Sequence, residues 1–137
     1  MITGPFHLAI VVDDLAAAEG FYAGTLGAAV VARDAAWIVF DFFGHKLTVN
    51  LAGAADGYGV APDDIAIRHF GVILDPAAFH TVNDRLLGAG AAIVRPATLQ
   101  GDGTPRAQWV LFVKDPSGNG LEFNAFPGGT WQAPLAP

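Results

Sequence analysis

Apolar positions come in short β-branched runs and in helical spacings, and the two alternate in a fixed order. Phe6-His7-Leu8-Ala9-Ile10-Val11-Val12 is an apolar run that predicts a buried strand. Asp13 or Asp14 stands where a helix cap is needed. Beyond it Leu15, Ala18, Phe21, Tyr22 and Leu26 recur at helical spacing, with Gly27 as the stop. Short strands follow over 28–33 and 37–42, and Gly44-His45 turns the chain into a strand over 46–51. The first half therefore predicts β-α-β-β-β.

Between 52 and 66 the composition shifts to Gly, Ala, Asp and Pro without any period, which reads as a linker. Then the pattern restarts. His69-Phe70-Gly71-Val72-Ile73-Leu74 predicts a strand, and Asp75-Pro76 a helix start, with Asp as cap and Pro at the first helical position. Phe79, Val82, Leu86 and Leu87 give that helix its apolar face, and Gly88 or Gly90 ends it. Strands are predicted over 91–98, 107–114 and 121–126, the last entered through Asp115-Pro116-Ser117-Gly118-Asn119-Gly120.

The halves superpose at an offset of 62 residues, His7 on His69 and Asp13 on Asp75. A duplication of this kind decides the fold class, since neither half alone buries both faces of a four-stranded sheet. The expectation is an α+β chain: one domain of two tandem βαβββ modules, about 5–51 and 68–126. A linker over 52–67 joins them, and an irregular tail over 127–137 follows.

Composition narrows the chemistry. Among 137 residues there is no cysteine, which excludes a disulfide framework, a thiolate zinc site and a cysteine nucleophile. Seven Lys+Arg against thirteen Asp+Glu, without a basic cluster, argue against nucleic acid. No apolar run approaches the ~20 residues of a membrane helix, and no basic segment precedes an apolar signal core. A cytoplasmic protein with no membrane partner is therefore expected. Mean hydropathy is +0.42, which places the apolar excess in a subunit interface and predicts a homodimer.

Eleven of the thirteen carboxylates are Asp, most in turn or helix-start contexts. Of the two Glu, Glu19 lies in a helical segment and Glu122 in an apolar strand, where a lone carboxylate is costly unless a cation pairs with it. His7 and His69 occupy equivalent places on the first strand of each half. Two imidazoles and a carboxylate form the open ligand set that holds a divalent metal while leaving positions for substrate. Each His alone reads first as a core histidine bonded to a carbonyl; its repetition at equivalent places, together with Glu122, favours metal.

On these residues the chain resembles the vicinal-oxygen-chelate superfamily, which holds glyoxalase I, extradiol dioxygenases, fosfomycin-resistance thiol transferases and bleomycin-resistance proteins. The segments carrying the likeness are Phe6 to Leu15 with Phe21-Tyr22 and Leu26-Gly27, then His69-Phe70-Gly71-Val72, then Asp115 to Phe123. It covers about residues 5–126. The resemblance implies curled mixed sheets forming a half-barrel cleft, and metal ligands at His7, His69 and Glu122. Iron(II) or manganese(II) is favoured, with zinc, nickel and cobalt also accepted by such ligands.

Within that family glyoxalase I uses a further carboxylate on the last strand of the first module. Aligning Gly44 on Gly118 puts Thr48 there, with Asn50 two residues on, facing the same way. Asn50 and Gln108 are then the candidates for hydrogen bonding substrate or water, with Arg106 and Asn124 behind them. The extradiol signature is intact from Asp115 to Glu122 but has Phe112 where the family has Tyr, and no His between Ile93 and Leu111. The resulting expectation is a metal-dependent enzyme that chelates vicinal oxygens of a small substrate, closest to the extradiol dioxygenases. The alternatives are a glyoxalase-like isomerase or lyase, and a metal-free bleomycin-type binder using Trp37, Phe40, Phe42, Phe43, Tyr58 and Trp109. A fosfomycin-type site ranks lower, because few cations are present to hold a phosphonate.

Overall fold

The computed structural model describes residues 4–53, 69–105 and 107–128. The linker beyond Gly53 and the tail beyond Gly128, with Tyr58, Arg106 and Trp131, lie outside the described residues. The chain forms two compact units: residues Met1–Arg68 with the turn Asp115–Asn119, and residues His69–Lys114 with Gly120–Pro137.

In the first unit β1 (His7–Val12) is followed by α1 (Leu15–Glu19), a π-helical segment (Gly20–Thr25), and strands β2 (Ala29–Arg33), β3 (Trp37–Phe42) and β4 (His45–Leu51). The sheet runs β1-β4-β3-β2, with β1 parallel to β4 and the other pairs antiparallel. Asp14 settles the choice of cap, its carboxylate accepting from the Ala17 amide at 2.9 Å. Instead of one regular helix to Leu26, the ladder widens into a π turn from Gly20. Gly20 and Gly24, both poor helix formers, lie in this stretch. The apolar stripe survives the change: Ala18, Phe21, Tyr22 and Leu26 are all buried. The Tyr22 ring packs at a tilt against Phe40 and edge to face with Phe42, which fixes the helical segment to one sheet face.

The hairpin from β3 to β4 turns through Phe43 and Gly44, both at positive φ (53° and 81°). Two such residues make the turn whose twist matches that of antiparallel strands. Phe43 adopts a backbone that Asn or Gly usually supplies.

The second unit repeats the plan with β5 (His69–Leu74), α2 (Pro76–Gly88), β6 (Ala92–Gln100), β7 (Gln108–Lys114) and β8 (Gly120–Ala125), ordered β5-β8-β7-β6. Asp75 caps α2 on the Ala78 amide, and Phe79, Val82 and Leu86 are buried beneath the helix. β6 reaches two residues beyond the expected strand, to Gln100. Two mixed four-stranded sheets in βαβββ units are thus the architecture expected from the repeat. Within each unit the helix covers one sheet face, and the unit's own described elements leave the other open.

Register places four residues of the open face in one row of each sheet. In the first unit the row is Ala9, Thr48, Val39 and Ala32. In the second it is Gly71, Glu122, Phe112 and Arg95. Thr48 is therefore the counterpart of Glu122, as the alignment of Gly44 on Gly118 anticipated.

Candidate functional site

Glu122 lies on the open face of β8 beside β5. Its Oε2 is 3.0 Å from His69 Nε2, and both side chains are partly shielded, at 28% and 23% exposure for His69 and Glu122. The other carboxylate oxygen accepts from Asn124 Nδ2 at 3.0 Å, and the same amide reaches Gln108 Oε1 at 3.2 Å. A polar chain Gln108–Asn124–Glu122–His69 thus crosses β7, β8 and β5. Gln108 acts by holding Asn124, which in turn holds the carboxylate plane. Support of this kind orients a carboxylate toward a partner on its remaining oxygen.

The Phe112 and His69 rings meet edge to face, with centroids 5.3 Å apart and planes at 76°. Phe112 therefore packs against the imidazole and excludes water from one side of it. The Arg95 guanidinium lies 5.7 Å from the centre of the Phe112 ring.

Gly71 lets this arrangement form. A Cβ on that residue would lie 1.5 Å from the Glu122 carbonyl oxygen, a distance real atoms do not adopt. Here the glycine admits a close approach of β5 to β8.

His69 and Glu122 suit one cation. Two ligand atoms at about 2.1 Å from a divalent ion, set at right angles, stand about 3.0 Å apart. Among the described residues, no three His, Asp or Glu side chains are grouped to hold a metal ion. His7 lies in the first unit, exposed at the start of β1 and in register with Lys46. Its place matches that of His69, which is in register with Gly120. Asn50, also of the first unit, directs its amide to the Ile10 carbonyl at 3.3 Å.

The first unit's open face carries a groove of about 570 Å³, lined by Trp37, Val39, Val31, Asp41, His45 and Lys46. His45 is tied there through Nδ1, which accepts from the Phe6 amide at 2.8 Å. Of the aromatic residues in the drug-binding alternative, Trp37 and Phe40 line this groove, and the Phe40 and Phe42 side chains are buried in the core. Trp109 packs with Phe79 and His80 on the helix side.

The Asp115–Asn119 turn leads into β8, and its acid is a structural hub rather than a reactive group. Asp115 is 3% exposed. Its carboxylate accepts from the amides of Ser117 and Asn119 (2.9 and 2.8 Å), from Asn119 Nδ2 (2.8 Å) and from the Tyr22 hydroxyl (3.0 Å). Ser117 Oγ donates to Asp13 at 2.8 Å, and Asn119 Nδ2 to the Val11 carbonyl at 2.9 Å. Burial, then the Asp115 charge and the hydrogen bond to it, push the Tyr22 phenol well above its ordinary value. The turn is legible in the sequence, but the Tyr22 contact, which joins positions 93 residues apart, is not. The placing of Arg95 is not legible either. Pro96 beside it was the available signal, because proline inside a strand marks an edge or a bulge.

No curated protein matches the chain significantly. Among solved structures, it is similar to a glyoxalase/bleomycin resistance protein/dioxygenase from Alicyclobacillus acidocaldarius, at 29% identity and a TM-score of 0.74, with 91% of this chain and 92% of that one covered. It shares its fold with a genomically encoded fosfomycin resistance protein from Listeria monocytogenes (16% identity, TM-score 0.71, 98% and 100% covered). The same holds for a lactoylglutathione lyase from Agrobacterium tumefaciens (18% identity, TM-score 0.70, 90% and 94% covered). A family model spanning residues 4–123 takes in both sheets and the turn built on Asp115. With the repeated βαβββ plan, that match establishes the chain as a member of the glyoxalase/bleomycin resistance protein/dioxygenase superfamily.

Proposed function

We propose that this chain is a metal-dependent enzyme acting on a small substrate with two vicinal oxygens, and that its reaction is of the extradiol-dioxygenase type. The observation carrying this reading is the His69–Glu122 pair, 3.0 Å apart with the second carboxylate oxygen held by Asn124. His7 is the proposed third ligand, on the strength of its equivalent place in the repeat and of the family resemblance. A bound divalent ion would supply Lewis acidity toward the substrate oxygens.

The chain's own residues do the rest. Glu122 offsets about one unit of cationic charge, and Asn124 and Gln108 fix its plane. Phe112 lowers the local dielectric beside His69, which strengthens the electrostatic interactions made there. Asn50, at the first-unit position matching Asn124, is the proposed contact for substrate or water in that unit. A second copy of the chain is the proposed partner.

Oxygen uptake tests the reaction. Protein loaded anaerobically with iron(II) and then given a catechol panel should consume oxygen, and His69→Ala should not. Full metal binding without oxygen uptake would move the reaction to isomerase or lyase chemistry. Mixing His7→Ala with Glu122→Gln tests the partner. Partial recovery of metal binding means that the ligands come from two copies, and none means that they come from one.

A further inference from the structure

Arg95 has an unusual setting for a surface cation. It lies on β6, an edge strand, and the β6–β7 register shifts both between Ile93 and Arg95 and between Arg95 and Thr98. Bulges re-aim side chains, and Pro96 keeps the strand from resuming regular pairing at that point. The guanidinium comes to rest by the Phe112 ring, in the same row as Glu122. Among the described residues no carboxylate forms a salt bridge with it. Both oxygens of Glu122, the acid of its own row, are engaged by His69 and Asn124. The first unit has the same bulge, between Val30 and Ala32, but places alanine at the matching position.

We infer that Arg95 is a specificity-determining residue that binds a carboxylate on the substrate, so that the substrate class is a small carboxylic acid with a vicinal oxygen pair. This deepens the proposed function and rests on its reading of the Glu122 row as the substrate site. The guanidinium offers a planar fork that matches a carboxylate in two parallel hydrogen bonds. Its contact with the Phe112 ring pre-positions the fork and reduces the side-chain freedom lost on binding. Phe112, lying between Arg95 and His69, sets the spacing between the anionic group and the oxygen pair.

The test compares benzoate with its neutral analogue benzamide on the purified protein, following the Arg95 Nε–H and Phe112 ring resonances. Benzoate should shift both saturably, with a Kd about tenfold or more below that of benzamide. Arg95→Gln should abolish the preference, and Arg95→Lys should keep part of it. Equal Kd values in the parent, absence of a saturable benzoate shift, or a preference that survives Arg95→Gln would each overturn the inference. Metal content measured on the same samples separates the two proposals. Arg95→Gln should keep the parental level, so loss of the benzoate preference with metal retained bears on Arg95 alone. A parent without metal that still prefers benzoate contradicts the metal reading and leaves this inference standing.

Discussion

One row across the first sheet reads Ala9, Thr48, Val39 and Ala32; the matching row across the second reads Gly71, Glu122, Phe112 and Arg95. Strand order, pairing directions and the edge-strand bulge are shared. The side chains are not. The first row is small and mostly apolar, beside a groove of about 570 Å³. The second carries an acid, an aromatic ring and a cation, with an imidazole against the acid. A duplicated scaffold thus keeps its geometry while the charged and aromatic side chains of this row gather in one copy, because the covered face specifies the fold and the open face is left to vary.

The hairpin turns repeat the contrast and give the largest expected effect. Asp115→Ala would leave the Tyr22 hydroxyl, two backbone amides and the Asn119 amide without their buried acceptor, costing about 4 kcal/mol by urea denaturation. Asp41, near the corresponding hairpin of the first unit, accepts from the Gly44 amide at an exposed turn. Asp41→Ala should cost under about 1 kcal/mol. Similar losses at the two sites would contradict the account of Asp115 as a hub.

Gly71→Ala comes next. Its Cβ has no room against the Glu122 backbone, so a loss of about 2–3 kcal/mol is expected together with weakened metal binding. Ala9→Gly, at the matching position, should cost about 0.5–1 kcal/mol through strand entropy.

Tyr22→Phe should cost about 1 kcal/mol at neutral pH and also change the alkaline limb of stability. The folded chain holds this phenol neutral at pH values where the unfolded chain releases the proton. The unfolded state then binds fewer protons, so stability is complete below about pH 10 and falls as pH rises through the raised folded value. Urea midpoints at pH 8 and pH 11 should converge in Tyr22→Phe relative to the parent. An equal alkaline loss in both proteins would show that another group controls that limb.

Much of this was legible in the sequence, because strand runs, helix caps and repeat spacing are local signals. His7 and His69 fell on matching strand positions, and Asp75-Pro76 marked its helix start. The pairing of Glu122 with His69 could be expected from the repeat and the family likeness. The support given by Asn124 and Gln108 could not, since it depends on the register of β7 against β8. The π turn at Gly20 was hidden because the apolar stripe keeps helical spacing through it. Arg95 was hidden because a bulge changes what a strand position faces, and Asp115 because its hydroxyl partner is remote in sequence.

The contrast between the rows is tested most directly by metal analysis of protein purified without chelators, comparing the parent with Glu122→Gln and Thr48→Val. Close to one divalent ion per chain is expected in the parent and in Thr48→Val, and nearly none in Glu122→Gln. A parent without metal, or a Glu122→Gln variant that retains it, would contradict the assignment of the chemistry to the second row.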